Sequence, residues 1–452
     1  MPSRKNFNFA GKSKKTDTGE NSASHEANNA ANTEPNPTKL TKRGFLRFAG
    51  AGALTAAAAA ISSVFSNRAS AQTWQKIGAP TGAAGTWQKL SPAKIGVSDV
   101  ACGVYSVSFI GNNHSIALRS DGQVFAAGSN FYGQLGDGTY LDRLAYVPTV
   151  GISNAVAVAA GLGHSVALRS DGLVFATGYN GVGTLGDNST VEKQAYGLAV
   201  GISNAVAIAA GMYHTVALRS DGLVFATGYN NRGQLGDNSI TSKRTYLQAI
   251  GISNAVAVAP GYYHSTALRS DGYVFACGYN DKGQLGDNST VSKSTYLQAI
   301  GISNAVAITA GKNHSVALRS DGNVFASGYN LKGPLGDNST VSKSTYIQAI
   351  GISNAVAITT GLYHTVALRS DGLVFASGYN NKGQLGDNST VDKSTYIQGI
   401  GISNAVAIAA GEYHSVALRS DGLVFACGYN SKGQLGDNST VSKSTYVQVS
   451  GV

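Results

Sequence analysis

The chain has 452 residues and a formal net charge of +10, yet only 13% of its residues are charged, against roughly 25% in an ordinary globular protein. This composition, with 57 glycines, excludes a protein built on long charged helices and favours short strands and tight turns. Three cysteines are too few for a disulfide framework. The absence of a Cys-x-x-Cys pair gives no support to a zinc site.

The basic excess lies mainly in the N-terminal part of the chain. Residues 1–71 carry ten Lys/Arg and four Asp/Glu, whereas residues 72–452 carry 24 and 20. Since the larger part is nearly balanced in charge, it gives no strong indication of nucleic-acid binding. Residues 1–40 are polar and poor in apolar side chains, which predicts a disordered leader.

An export signal is predicted over residues 41–71. A soft apolar run at 48–65 is followed by "ASA", which predicts cleavage between Ala71 and Gln72. The segment resembles a twin-arginine export signal, with Lys42 where the first arginine belongs. Its motif residues are Lys42, Arg43, Phe45 and Leu46. The resemblance implies a bacterial protein that is periplasmic or extracellular, and an uncleaved membrane anchor is the alternative.

The remaining chain, residues 98–452, consists of seven repeats of 50 residues. Each repeat contains one histidine of a regularly spaced set: His114, His164, His214, His264, His314, His364 and His414. The third repeat has four short β-rich runs, "AVAIAA", "HTVALRS", "LVFATG" and "TYLQAI", with glycines at the bends and no helical period. Four such runs per repeat predict one four-stranded antiparallel blade, and the chain is therefore expected to be an all-β propeller of seven blades.

The repeats also resemble a known family. Residues 111–150 contain His-Ser before an alternating strand, then Asp-Gly, and then Gly-Gln-Leu-Gly, and six further copies follow in the same order. These motifs resemble the regulator of chromosome condensation repeat over residues 100–450. The resemblance implies a seven-bladed β-propeller.

The strand that closes the last blade has two candidates. "TWQKL" at Thr86–Leu90 lies in an N-terminal segment, residues 72–97, and echoes the fourth run of the repeats. "STYVQV" at Ser444–Val449 offers the same strand from the C-terminal side. One copy is therefore surplus, and "TWQKI" at Thr73–Ile77 is a third echo.

No catalytic or metal centre is predicted. The histidines occur once per blade, so each is expected to hydrogen-bond a neighbouring loop and fix the strand entrance rather than to converge with the others on one ion. "RSDG" is interpreted as turn chemistry with solvated charge. "GDNST" lacks the spaced carboxylates of a calcium loop, and Cys277 and Cys427 are interpreted as packing residues. We expect no cofactor and no enzymatic activity, because no repeat departs sharply from the others.

Recognition is expected at the positions that differ between repeats. These are the pair before each histidine and the pair before Gly-Gln-Leu-Gly. The first pair lies in the first connection of a blade, and the second pair lies in the third connection. Alternate connections emerge on the same side of an antiparallel sheet, so both pairs should share one face of the propeller. The predicted binding residues are Tyr132, Met212, Tyr213, Arg232, Tyr262, Tyr263, Lys282, Lys332, Tyr363, Lys382, Tyr413 and Lys432.

The sequence therefore favours an exported scaffold that binds another protein, or a surface polymer, through a face rich in Tyr and Lys. One alternative is guanine-nucleotide exchange on a small GTPase, as the family resemblance implies. Another is a carbohydrate-binding or carbohydrate-active protein, because tyrosines also stack on sugars. The protein is expected to be a monomer without a membrane span after cleavage.

Overall fold

The computed structural model describes residues 74–77, 86–89, 99–103, 114–119, 121–431 and 433–449. These residues form thirty β-strands, and no helix occurs among them. Within this part of the chain, no helix is long and apolar enough to cross a membrane. The predicted leader, the export motif and the cleavage site after Ala71 lie outside the described residues.

Seven sheets have four strands each and use consecutive strands of one repeat, as predicted. The first strands of the blades are β3 (Asp99–Gly103), β7 (Ala155–Ala160), β11 (Ala205–Ala210), β15 (Ala255–Pro260), β19 (Ala305–Ala310), β23 (Ala355–Thr360) and β27 (Ala405–Ala410). The second strands are β4 (His114–Leu118), β8 (His164–Arg169), β12 (His214–Arg219), β16 (His264–Arg269), β20 (His314–Arg319), β24 (His364–Arg369) and β28 (His414–Arg419).

The outer half of each blade completes the sheet. The third strands are β5 (Val124–Gly128), β9 (Val174–Gly178), β13 (Val224–Gly228), β17 (Val274–Gly278), β21 (Val324–Gly328), β25 (Val374–Gly378) and β29 (Val424–Gly428). The fourth strands are β6 (Arg143–Pro148), β10 (Lys193–Leu198), β14 (Lys243–Gln248), β18 (Lys293–Gln298), β22 (Lys343–Gln348), β26 (Lys393–Gln398) and β30 (Lys443–Gln448).

The third blade illustrates the local rules. The second and third strands pair from His214↔Gly228 to Leu218↔Val224 without a shift. The hairpin between them closes where the Gly222 amide donates to the Arg219 carbonyl at 2.9 Å. Gly222 has a φ of 77°, which side chains with a Cβ rarely adopt, so a glycine is favoured at this turn.

The segment before the first blade forms a separate small sheet. Strands β1 (Trp74–Ile77) and β2 (Thr86–Lys89) pair antiparallel with each other. In the seventh blade the fourth strand is β30, which pairs with β29 of the same repeat. The four strands of that blade therefore all come from residues 405–448.

The hydrophobic core lies between neighbouring blades. The first strand of one blade packs against the second strand of the preceding blade, and first strands also contact one another around the axis. A typical cluster joins Leu268 and Val274 of the fourth blade to Ile308, Phe325 and Tyr346 of the fifth. Small residues such as Ala307 line the first strands, since inner strands approach one another closely near the axis.

Candidate binding face

The histidines fasten each blade to the next. His214 Nε2 lies 3.0 Å from the Ser265 hydroxyl of the following blade. That hydroxyl donates its own hydrogen to the Gln234 carbonyl at 2.8 Å. The hydroxyl oxygen must therefore accept from the histidine, and Nε2 carries the proton of this bond. The same bond joins His114, His164, His264, His314 and His364 to a Ser or Thr 51 residues later.

The predicted loop partner is therefore wrong: each of these histidines bonds a strand hydroxyl of the following blade and so joins neighbouring blades. Burial is the main cause that lowers the pKa of His264 to about 3. The ring is therefore neutral at physiological pH. No group of three or more His, Cys, Asp or Glu residues that could hold a metal ion occurs in the described chain.

The face formed by the second and fourth connections is uniform. Arg219 Nε donates to both carboxylate oxygens of Asp221 at 3.0 Å, and its guanidinium lies 4.8 Å from the centroid of the Phe225 ring. The Leu223 amide donates to the same carboxylate at 3.2 Å. Each of the seven "RSDG" turns contains this ion pair between its arginine and its aspartate. The charge of each arginine is therefore balanced within its own turn.

We call the opposite side, formed by the first and third connections, the tyrosine face. Its third connection is held by a buried asparagine. Asn230 Nδ2 donates to Asp237 at 2.8 Å, and the Asn230 side-chain oxygen accepts from the Leu235 amide at 2.9 Å. Lys243 Nζ pairs with the other oxygen of Asp237 at 3.1 Å. The asparagine and the aspartate occur in every repeat, and the basic residue is Arg143 in the first repeat and lysine in the other six. The two positions after the asparagine can therefore vary without loss of the loop.

The carboxylate of this loop is committed to internal bonds. Burial opposes ionisation of Asp237, but hydrogen bonds from Ser239, Lys243 and Asn230 outweigh it and hold its pKa below the ordinary value. The "GDNST" segment is therefore a turn whose aspartate forms hydrogen bonds and an ion pair within the loop. Asn238 supplies its left-handed residue, with a φ of 62°.

The two residues before each histidine separate in the structure. The first of each pair lies at the propeller axis and forms what we call the axial cluster: Leu162, Met212, Tyr262, Lys312, Leu362 and Glu412. Backbone bonds join three successive pairs of members: Leu162 N to Met212 O at 3.3 Å, Lys312 N to Leu362 O at 3.3 Å, and Leu362 N to Glu412 O at 3.2 Å. The Tyr262 hydroxyl donates to the Glu412 carboxylate at 2.8 Å across three blades, and both side chains are buried.

The second residue of the pair is a tyrosine in four blades, and there it lies away from the axis and joins a chain of aromatic rings. It packs between tyrosines of the constant "GYN" segment. The centroid of Tyr213 lies 5.4 Å from that of Tyr179 and 6.4 Å from that of Tyr229. We call this chain the tyrosine belt, and it consists of Tyr132, Tyr179, Tyr213, Tyr229, Tyr263 and Tyr279 in one arc and Tyr329, Tyr363, Tyr379, Tyr413 and Tyr429 in another.

The ends of the arcs follow from single residues. The residue before the histidine is Tyr363 in the sixth blade but Asn313 in the fifth. With no ring at Asn313, no ring contact joins Tyr279 to Tyr329 among the described residues. In the second blade this position is Gly163. A Cβ on Gly163 would lie 2.8 Å from the Tyr132 ring, so the glycine makes room for Tyr132 to extend the belt.

Basic side chains lie over the belt in a regular way. The Arg232 guanidinium lies 5.0 Å from the Tyr279 centroid of the next blade. Lys332 and Lys382 lie 5.5 Å from the equivalent rings, Tyr379 and Tyr429. Such contacts hold a cation against a ring face and leave its charge exposed to solvent.

At the axis, one lysine contacts two tyrosine rings rather than one. Lys312 Nζ lies 5.4 Å from the Tyr262 centroid and 5.3 Å from the Tyr363 centroid. Lys312 thus links the axial cluster to the tyrosine belt.

Two belt hydroxyls are held in the protonated form by their surroundings. Burial, reinforced by neighbouring tyrosines, raises the pKa of Tyr213 to about 12. Burial and the Glu412 carboxylate raise the pKa of Tyr413 above its ordinary value. The face therefore offers phenolic donors together with ammonium and guanidinium groups.

The structure brings together most of the residues that the sequence singles out. Tyr132, Tyr213, Tyr263, Tyr363 and Tyr413 lie in the belt, and Arg232, Lys332 and Lys382 lie over it. The others are placed differently: Met212 and Tyr262 belong to the axial cluster, Lys282 pairs with Asp281 at 3.2 Å, and Lys432 lies outside the described residues.

Several members of the site escape an approach that considers variable positions alone. The six "GYN" tyrosines are constant, so their place in the belt is not signalled by variation. Lys312 and Glu412 do occupy a variable position, but they are not among the predicted binding residues. This position is Leu, Met or Tyr in four of the seven repeats, and a charged residue there is the signal that would have identified them.

The fold and this face define a class of protein: a seven-bladed β-propeller with a uniform face on one side and a diversified loop face on the other. Two models of the regulator of chromosome condensation (RCC1) repeat match the chain. One matches residues 97–134, 155–184, 205–234, 255–284, 305–333, 355–384 and 405–434, and the other 121–168, 221–268, 271–318 and 371–418. Together they cover more than half of the chain, and the protein belongs to the RCC1 repeat family.

Solved structures agree with this fold. Human WBSCR16 is 21% identical with a TM-score of 0.63, and the match covers 73% of this chain and 94% of that one. Prp20p from Saccharomyces cerevisiae is 22% identical with a TM-score of 0.61, covering 73% and 86%. Yeast RCC1 (Prp20) bound to Kap60 is 19% identical with a TM-score of 0.62, covering 82% and 91%. No curated protein sequence matches the chain.

Proposed function

We propose that this protein is an exported propeller scaffold that binds another protein through its tyrosine face. The observation that carries the proposal is the difference between the two faces. One repeats the same neutral Arg–Asp turn seven times, whereas the other presents a half-buried belt of tyrosines with basic side chains over it. Tyrosine and arginine are enriched where protein partners contribute most binding energy.

Rigid strands with variable loops suit this task, since loops on a fixed scaffold are where binding usually lies. Proteins with the same fold support a protein partner: Prp20p binds Gsp1p and histones, and yeast RCC1 (Prp20) has been crystallised with Kap60. Export is part of the proposal because Lys42 and Arg43 precede an apolar run and a small-residue cleavage site.

The test uses the mature chain from Gln72 as bait in the extracytoplasmic fraction of the native cell. A quadruple variant changes Tyr213, Tyr263, Tyr363 and Tyr413 to Ala. Its matched control changes Arg219, Arg269, Arg369 and Arg419 to Ala on the uniform face of the same blades. We expect the tyrosine variant to lose at least tenfold in partner recovery and the arginine variant to retain it.

The readings of this experiment are distinct. Thermal melts of both variants establish that the blades remain folded. Equal recovery by the tyrosine variant would refute the tyrosine face as the binding surface. Nucleotide release from a small GTPase stimulated by the purified protein would instead favour an exchange factor. N-terminal sequencing of the exported protein should begin at Gln72, and an intact leader inside the cell would refute the export.

A further inference from the structure

The tyrosine face presents charge rather than open aromatic surface. Belt rings pack against one another with centroids 5.1 to 6.5 Å apart. The faces of Tyr279, Tyr379 and Tyr429 lie under Arg232, Lys332 and Lys382. A sugar ring binds by stacking on a free aromatic face. The belt's own basic groups already occupy several of these faces, so the arrangement disfavours a neutral carbohydrate.

The basic groups differ in whether a carboxylate neutralises them. Lys332 pairs with Asp392 at 3.3 Å, and Lys282 pairs with Asp281 at 3.2 Å. Within the described part of the chain, Arg232, Lys312 and Lys382 form no ion pair, although each lies over a tyrosine ring. We call these three residues the cationic sector.

The cationic sector makes the distribution of charge on the tyrosine face uneven. Its members belong to the third, fifth and sixth blades. In the third connections, the acidic residues that form no ion pair among the described residues are Asp142 and Glu192, and both belong to the first two blades. In the first connections, Glu412 of the seventh blade is buried and accepts a hydrogen bond from Tyr262. On the uniform face, each arginine is paired within its own turn. The uncompensated positive charge of the loops thus lies on one part of the tyrosine face.

We infer that the cationic sector binds an acidic peptide segment of the protein partner. Carboxylates of the segment would meet Arg232, Lys312 and Lys382, and its apolar groups would pack on exposed parts of the belt. This inference rests on the proposed function and names the chemistry of its partner. A nucleic acid is disfavoured because three separated cations do not form a continuous stripe, and because residues 72–452 are nearly balanced in charge.

The inference is tested with the full chain and a fluorescently labelled poly-L-glutamate peptide, whose binding is followed by anisotropy. The sector variant carries Arg232→Gln, Lys312→Gln and Lys382→Gln. The matched control carries Arg269→Gln, Arg319→Gln and Arg369→Gln on the uniform face, so both variants lose three positive charges. We expect the sector variant to bind at least tenfold more weakly and the control to stay within twofold of the parent chain.

Salt provides a second readout, since exposed ion pairs are screened as ionic strength rises. Binding to the parent chain should weaken steeply between low and high salt, and the sector variant should show a shallower dependence. Because Lys312 is half-buried, the pair Arg232→Gln and Lys382→Gln is measured alongside Arg269→Gln and Arg369→Gln. Thermal melts confirm that each variant is folded.

Three results would overturn the inference. The first is equal weakening by the sector and control variants, which reports net charge alone. The second is a neutral glucan that binds as tightly as the peptide, and the third is an oligonucleotide of equal charge that binds more tightly than the peptide. If the peptide fails while partner capture still depends on the belt tyrosines, the protein-binding proposal stands and only the acidic chemistry is wrong.

Discussion

At the scale of the residue, the buried histidines make the fold sensitive to acid. Burial is the main cause that lowers the pKa of His164, His214, His264, His314, His364 and His414 to about 3. In the unfolded chain the same groups titrate near 6.5. Between these values the unfolded chain binds more protons than the folded one, so stability falls as the pH falls.

We therefore expect the free energy of unfolding to decrease steeply from about pH 6.5 towards pH 3. Each histidine contributes up to about 1.4 kcal/mol per pH unit in this window. His264→Gln should make the slope between pH 4 and pH 6 shallower by that amount, because one proton fewer is taken up on unfolding. Urea titrations across this range measure the slope, and an unchanged slope in His264→Gln would contradict the assignment.

At the scale of the element, the third connection combines a fixed anchor with free positions. Asn230 is buried and joins the loop through its amide, whereas the next residue, Asn231, is exposed. The anchor keeps the loop geometry constant, so the adjoining positions are free to differ between blades. This division explains how near-identical repeats support a diversified face.

The neighbouring asparagines provide a matched pair of the same residue type. Asn230→Ala removes several bonds and leaves the Leu235 amide without its partner, which costs about 2–3 kcal/mol. Asn231→Ala should change stability by less than about 0.5 kcal/mol. Urea unfolding of both variants measures the difference, and similar values for the two would show that the side chain of Asn230 is not the anchor.

At the scale of the whole molecule, stability rests on one interface that recurs between successive blades. Each histidine from His114 to His364 bonds a Ser or Thr that is the second residue of the second strand in the next blade. In a closed ring the blade after the seventh is the first, so the equivalent partner of His414 is Ser115. Among the described residues, His414 Nε2 has no hydrogen-bond partner. In the middle of the array, Ser265 both receives the His214 bond and donates to the Gln234 carbonyl.

Ring closure therefore predicts that Ser115→Ala and Ser265→Ala are equally harmful. Each should lower the free energy of unfolding by about 1–3 kcal/mol: Ser265 is a buried hydroxyl with two hydrogen-bond partners, and Ser115 holds the equivalent position of the first repeat. The two variants are compared by urea denaturation under identical conditions. A neutral Ser115→Ala beside a destabilising Ser265→Ala would mean that the seventh and first blades are not joined by this bond.

Much of the architecture is determined locally and could be predicted from the sequence alone. The strands follow from period-two alternation, and the hairpins follow from glycines such as Gly222 that accept a positive φ. The common face of the first and third connections follows from the parity of an antiparallel sheet. Each of these properties depends on residues close together in the chain, so the repeated letters are enough to establish the number of blades and the side on which the variable loops lie.

Only the tertiary structure decided how the variable residues are used. Met212 and Tyr213 are adjacent in sequence, yet one lies at the axis and the other in the belt. Arg232 lies over Tyr279 of the next blade, and Tyr262 bonds Glu412 from three blades away. Contacts of this kind join residues from different repeats whose local sequences are nearly identical. No local pattern identifies the partner, and the arrangement of the blades around the axis selects it.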